Sequence, residues 1–139
     1  MLDYSALKSS ILALERSLNV TADQARWATF DDSMRETLMA GVIQTFEVAY
    51  EQSSKMMKRW LEANPLTGEV TGVPMRQLFR VAANAGLISD VDPWMATHQA
   101  RNETSHTYNR QTALAVFAMA PLFLEQAKRV LTELELRND

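Results

Sequence analysis

The sequence predicts an all-α protein, a bundle of about five helices, and three observations carry that expectation. Apolar residues recur at helical spacing along most of the 139 residues. No segment alternates with the period of two that a half-buried strand needs. The four Gly and four Pro gather chiefly between the periodic stretches. The length suits one domain spanning residues 1–139, and the chain carries no internal repeat.

Each element has its own signal. Tyr4, Leu7, Ile11, Leu14 and Leu18 form one apolar stripe, so the first helix is expected there, with Asn19 to Ala28 as a connection. Asp31 or Asp32 is a suitable N-cap for a second helix carrying Met34, Leu38, Val42, Phe46, Ala49, Met56 and Trp60. A helix of that extent is about 45 Å long, and Gly41 or Ser53–Ser54 is where it would bend. Asn64-Pro65-Leu66-Thr67-Gly68 is turn chemistry. Pro74 then opens a short helix that Gly86 ends. Asp92-Pro93 opens a fourth helix, and the polar run Thr104 to Asn109 favours a break. The last helix carries Ala113, Val116, Phe117, Ala120, Leu124, Ala127, Leu131 and Leu134, with Pro121 expected to kink it.

Composition excludes several classes of function. With no Cys there is no disulfide framework, thiolate zinc site or cysteine nucleophile, as suits a reducing cytoplasm. Residues 1–10 lack the apolar region of a signal peptide. The longest apolar run, Ala113 to Leu124, is interrupted by Pro121 and is far short of a membrane span, so no membrane partner is expected. Net charge is −3, which argues against a broad nucleic-acid coat but not against a small phosphate pocket. The excess acid lies in residues 1–54, with four basic and eight acidic side chains.

Chemistry concentrates in one stretch, Thr97-His98-Gln99-Ala100-Arg101-Asn102-Glu103-Thr104-Ser105-His106-Thr107-Tyr108-Asn109-Arg110, which holds both histidines of the chain. The histidines lie eight residues apart rather than four and no third ligand is evident, so no metal or cofactor is expected. No Ser-His-acid arrangement stands out, and no glycine-rich phosphate loop exists. Glu47 and Glu51 pair at i, i+4 and read as a solvated acidic face, as Lys55, Lys58 and Arg59 read as a solvated basic one. Arg101 and His106 suit metal-free phosphate chemistry. Histidine exchanges a proton near neutrality, and the arginine fork holds a phosphate as its charge grows. Singly, Arg101 also reads as a surface ion pair and His106 as a helix-end residue. Five residues turn a straight helix by about 500°, leaving the two side chains roughly 140° apart. Their convergence needs the helix to end near Ser105, or a second copy of the chain.

Arg101-Asn102-Glu103-Thr104-Ser105-His106-Thr107-Tyr108 resembles the Arg-polar-x3-His-x-Tyr signature of HEPN proteins. The narrower likeness is to their nucleotidyltransferase substrate-binding branch. Gly41 to Glu51, the later Trp60, Arg76 to Ile88 and Trp94 resemble further segments of that branch, in order along most of the chain. Thr97-His98-Gln99-Ala100 and Asn109-Arg110 stand where relatives commonly carry acidic residues. The resemblance implies a five-helix, mostly antiparallel up-and-down bundle that forms a homodimer, with Arg101 and His106 of two chains at a shared cleft.

The function that the resemblance implies is a toxin acting as a metal-independent endoribonuclease on RNA. Its partner would be a minimal nucleotidyltransferase encoded nearby, which neutralises it, in some systems by attaching AMP to the tyrosine matching Tyr108. Arg101 and His106 would then be catalytic, with Asn102, Ser105 and His98 as supporting groups. The alternative is a non-catalytic subunit that presents substrate or nucleotide to a separate transferase. A third reading, a purely structural bundle whose polar run caps two helices, fits the recovered signature least.

Overall fold

The computed structural model describes residues 1–106 and 109–138, with the side chains of Ser105 and His106 outside that set. Six helices appear among the described residues, and no strand: α1 (Ser5–Ala22), α2 (Gln24–Trp27), α3 (Asp32–Ala63), α4 (Met75–Asn84), α5 (Val91–His106) and α6 (Arg110–Leu136). The difference from five is α2, a single turn inside the expected connection. Asp23 makes it by accepting the Arg26 amide at 3.1 Å, while α1 continues one turn past its last buried residue, Leu18. No helix among the described residues is long and apolar enough to cross a membrane.

Helix directions follow from matched contacts. Phe46 meets Phe123 and Trp60 meets Arg137, so equal steps along α3 and α6 run the same way. Leu2 meets Asn138 and Glu15 meets Lys128, so α1 runs against α6. Trp94 and Phe123 stand at nearly equal distances from the α5–α6 connection and touch, so α5 also runs against α6. The result is an up-down-up-down arrangement of α1, α3, α5 and α6, with α4 packed on α5 and α3.

α3 is one continuous helix, about 48 Å long at 1.5 Å per residue. It runs unbroken through Gly41 and Ser53–Ser54, the positions where a bend is expected. Ser53 and Ser54 donate their hydroxyls back to Ala49 and Tyr50 carbonyls at 2.7 and 3.1 Å, which satisfies them inside the helix. α6 likewise continues through Pro121. The core gathers apolar side chains from α1, α3, α4, α5 and α6, and Phe46, Phe79 and Phe123 are fully buried in it. Trp94 sits at its centre, 5.7 Å from the Phe79 ring and 5.6 Å edge-on from Phe123.

The helix ends that frame the site are built by local chemistry. Gly86, at φ +83°, closes α4: its amide donates to Ala83 and the Leu87 amide to Ala82, a Schellman ending that glycine adopts without penalty. α5 starts at Val91, one residue before the expected cap, with Asp90 accepting the Asp92 amide at 3.4 Å. Asn109, in the second of the two stretches that depart from the family pattern, caps α6. Its carboxamide accepts the Thr112 amide at 2.9 Å and Thr112 Oγ1 accepts the Asn109 amide at 3.2 Å. Substituting Asn109→Ala removes this box and should lower stability by about 1 kcal/mol; a urea denaturation midpoint checks it, and an unchanged midpoint refutes it.

Candidate phosphate-handling site

The site is a meeting of α3 and α5. His98, Arg101 and Asn102 lie within about 100° of one another around α5, since three and four residues turn a helix by about 300° and 400°. Two consecutive residues of α3 face them. Tyr50 Oη lies 2.7 Å from His98 Nδ1, and the Glu51 carboxylate accepts a charged hydrogen bond from the Arg101 guanidinium. Asn102 closes the group, its Nδ2 lying 3.2 Å from His98 Nε2.

Burial is graded across this cluster. Tyr50 is in the core against Phe123, His98 and Arg101 are half-buried, and Asn102 and Glu51 are exposed. The ionisation follows the gradient. Burial raises the Tyr50 phenol well above its ordinary value, partly offset by the charge of Arg101, so it stays protonated. The hydrogen bond and charge of Glu51, with Glu47 adding to them, hold Arg101 above its usual value despite partial desolvation. His98 is lowered, first by burial and then by the charge of Arg101.

That lowered value makes stability depend on pH in a defined direction. Above about pH 6.5, His98 is neutral both folded and unfolded and contributes nothing. As pH falls through that value the unfolded chain takes up the proton first, and stability drops until the folded value is also passed. The melting temperature is therefore expected to fall between pH 7.5 and about 5.5, and to fall less in a His98→Gln variant. Equal slopes for both proteins would remove His98 from the account.

Beyond His98 and Asn102 a groove of about 480 Å³ opens, lined by Arg76, Asp92, Met95 and Gln99 as well. Arg76 and Asp92 stand 3.7 Å apart at its far end. Among the described residues no group of three His, Asp or Glu side chains gathers as a metal site.

Of the candidate residues, the structure brings Arg101, Asn102 and His98 together. The helix ends close to where the polar run favours a break: α5 stops at His106 and α6 starts at Arg110. The side chains of Ser105 and His106, and the whole of Tyr108, lie outside the described residues. Glu51 is exposed, as a solvated face requires, and is in addition tied to Arg101 fifty positions away. Tyr50 enters the sequence reading only within the Gly41 to Glu51 resemblance, and Glu51 also as a member of the Glu47–Glu51 pair. Their side chains carry no local signal of a partner on another helix.

The class of protein on view is an all-α bundle with an arginine, a histidine and two amides collected on one helix, braced by an acid and a phenol from its neighbour. Residues 2–136 match the family described as nucleotidyltransferase substrate binding protein like. A Haemophilus influenzae protein named probable ribonuclease HepT is 36% identical over 99% of this chain and 94% of its own length. A solved Haemophilus influenzae structure superposes with a TM-score of 0.90 at 34% identity, covering 96% of this chain and 99% of that one. Its description is the fold of a substrate-binding domain of a nucleotidyltransferase. The chain belongs to this nucleotidyltransferase substrate-binding family, in the HEPN group.

Proposed function

We propose that the chain is a HEPN-type toxin, a metal-independent endoribonuclease held in check by a nucleotidyltransferase partner. The observation that carries the reading is the intact Arg101-Asn102-x3-His106-x-Tyr108 signature in a chain 36% identical, nearly end to end, to a protein named probable ribonuclease. Arg101 holds the scissile phosphate with its planar fork and offsets the negative charge that builds on it. His106 moves the proton: it takes one from the ribose 2′-hydroxyl or gives one to the departing 5′-oxygen. Asn102 and Ser105 add polar contacts to the same phosphate. A homodimer would bring two copies of α5 together and supply the convergence that one straight helix does not. AMP attached to Tyr108 would place a phosphate and a base in the cleft, blocking RNA by charge and volume.

The solved relative's description favours a second reading, in which the chain binds substrate or nucleotide for a separate transferase and cleaves nothing. Cleavage of labelled RNA in excess EDTA separates the two. Activity that persists in EDTA and falls about a hundredfold or more in His106→Ala supports the ribonuclease. No cleavage by a folded chain shown by intact mass to carry no AMP assigns the substrate-binding role.

A further inference from the structure

We infer that Tyr50 and His98 form a hydrogen-bond relay that turns the Asn102 carboxamide so that its NH2 group faces the bound phosphate. The inference deepens the phosphate-handling reading above and rests on it. Three groups on two helices stand in line: Tyr50 Oη, 2.7 Å from His98 Nδ1, and Asn102, whose Nδ2 lies 3.2 Å from His98 Nε2. A neutral imidazole has one N–H and one lone pair, so the line has a direction, and only two directions are self-consistent.

In the first direction the Tyr50 hydroxyl donates to Nδ1, and Nε2–H donates to the Asn102 carbonyl oxygen. The carboxamide NH2 then points outward. In the second, Nδ1–H donates to Tyr50 Oη and the Asn102 NH2 donates to Nε2, leaving the carbonyl outward. The two ends of a carboxamide have the same shape, so the chemistry around them decides which is which, and the first direction turns the group over to bring Oδ1 to Nε2 in place of Nδ2.

Tyr50 decides it here. The residue is 3% exposed, and His98 is the only hydrogen-bond partner of its hydroxyl among the described residues. The second direction would leave the buried phenolic proton with no acceptor, which buried polar groups rarely tolerate. The first direction satisfies it. It also suits a phosphate, whose oxygens only accept, because the outward NH2 is then a donor on the residue next to Arg101. Tyr50 and His98 are positioning residues in this scheme. Neither touches substrate.

The test is the His98 tautomer, read by long-range proton–nitrogen NMR on the full chain, together with affinity for a 2′-O-methyl hexaribonucleotide, which lacks the attacking hydroxyl. The expected wild-type ring carries its proton on Nε2. Tyr50→Phe keeps the aromatic ring in the core but removes the relay's first donor. It should shift the tautomer balance and weaken the oligonucleotide by about two- to tenfold. In an Asn102→Ala background the same substitution should have no further effect on affinity, because the group it orients is gone. A wild-type proton on Nδ1 overturns the relay, and so does an equal loss of affinity with and without Asn102. Should Tyr50→Phe fail to fold, the wild-type tautomer alone decides between the two directions. The parent reading fails separately, as a wild-type chain that neither binds the oligonucleotide nor cleaves RNA.

Discussion

Phe123→Ala should lower the unfolding free energy by about 3–5 kcal/mol, the largest single effect expected of a core substitution here. The ring is fully buried and sits where three others meet: Phe46 at 5.3 Å, Trp94 at 5.6 Å and Tyr50 at 6.3 Å. Those three belong to α3 and α5, so one truncation opens a void at the junction of α3, α5 and α6. Collapse around the void is hindered because aromatic rings on long helices shift little without moving the helices. For a chain of this size the change corresponds to a fall in melting temperature of about 10 °C or more. The neighbour Leu122, 62% exposed, supplies the control, since Leu122→Ala should change stability by no more than about 0.5 kcal/mol. Both belong in one calorimetric series at fixed protein concentration, because any self-association would raise apparent stability with concentration. Similar losses for the two variants would contradict the packing described.

Arg101→Gln should cost RNA cleavage about a hundred- to a thousandfold while leaving the fold almost untouched. The guanidinium is half-buried against α3, and its partner Glu51 is 51% exposed. Removing the charge strands no buried carboxylate, and the stability change should stay below about 1 kcal/mol. Arg101→Lys separates charge from shape. Lysine keeps the positive charge but not the planar pair of donors, so it should recover only part of the lost rate. Full activity in Arg101→Lys would mean that the phosphate needs charge alone. Full activity in Arg101→Gln would remove Arg101 from the chemistry.

Most of the architecture was legible because its causes are local or periodic. The stripes from Tyr4 to Leu18 and from Ala113 to Leu134 report burial directly, and Gly86 ends α4 through a backbone conformation that its sequence position announces. The Asp31 cap on α3 is equally local: its side chain accepts the Met34 amide at 2.8 Å. What sequence reasoning missed is tertiary. The bond between Tyr50 and His98 joins positions 48 apart, and the ion pair between Glu51 and Arg101 joins positions 50 apart. Each member has an ordinary local reading, Tyr50 as core and Glu51 as solvated acid. Only the packing of α3 against α5 turns them into supports for one another. The helical run through Ala22 was missed for a different reason. Beyond Leu18 no apolar residue is buried, so the periodic signal stops while the hydrogen-bond ladder continues.

The two ends of the described chain are clasped. Leu2 donates its amide to Asn138 Oδ1 at 3.1 Å, and Asn138 Nδ2 returns a bond to the Leu2 carbonyl at 3.0 Å. This clasp lies at the far pole of the bundle from Asn109, a separation of about 40 Å along α6. Helix order along the chain is therefore separable from helix arrangement in space. A circular permutant that joins residue 138 to residue 2 through a short linker, and reopens between Glu69 and Gly72, would keep every helix whole. Its new ends would fall in an irregular connection, so the polar cluster on α5 would be inherited unchanged by a chain with a different beginning.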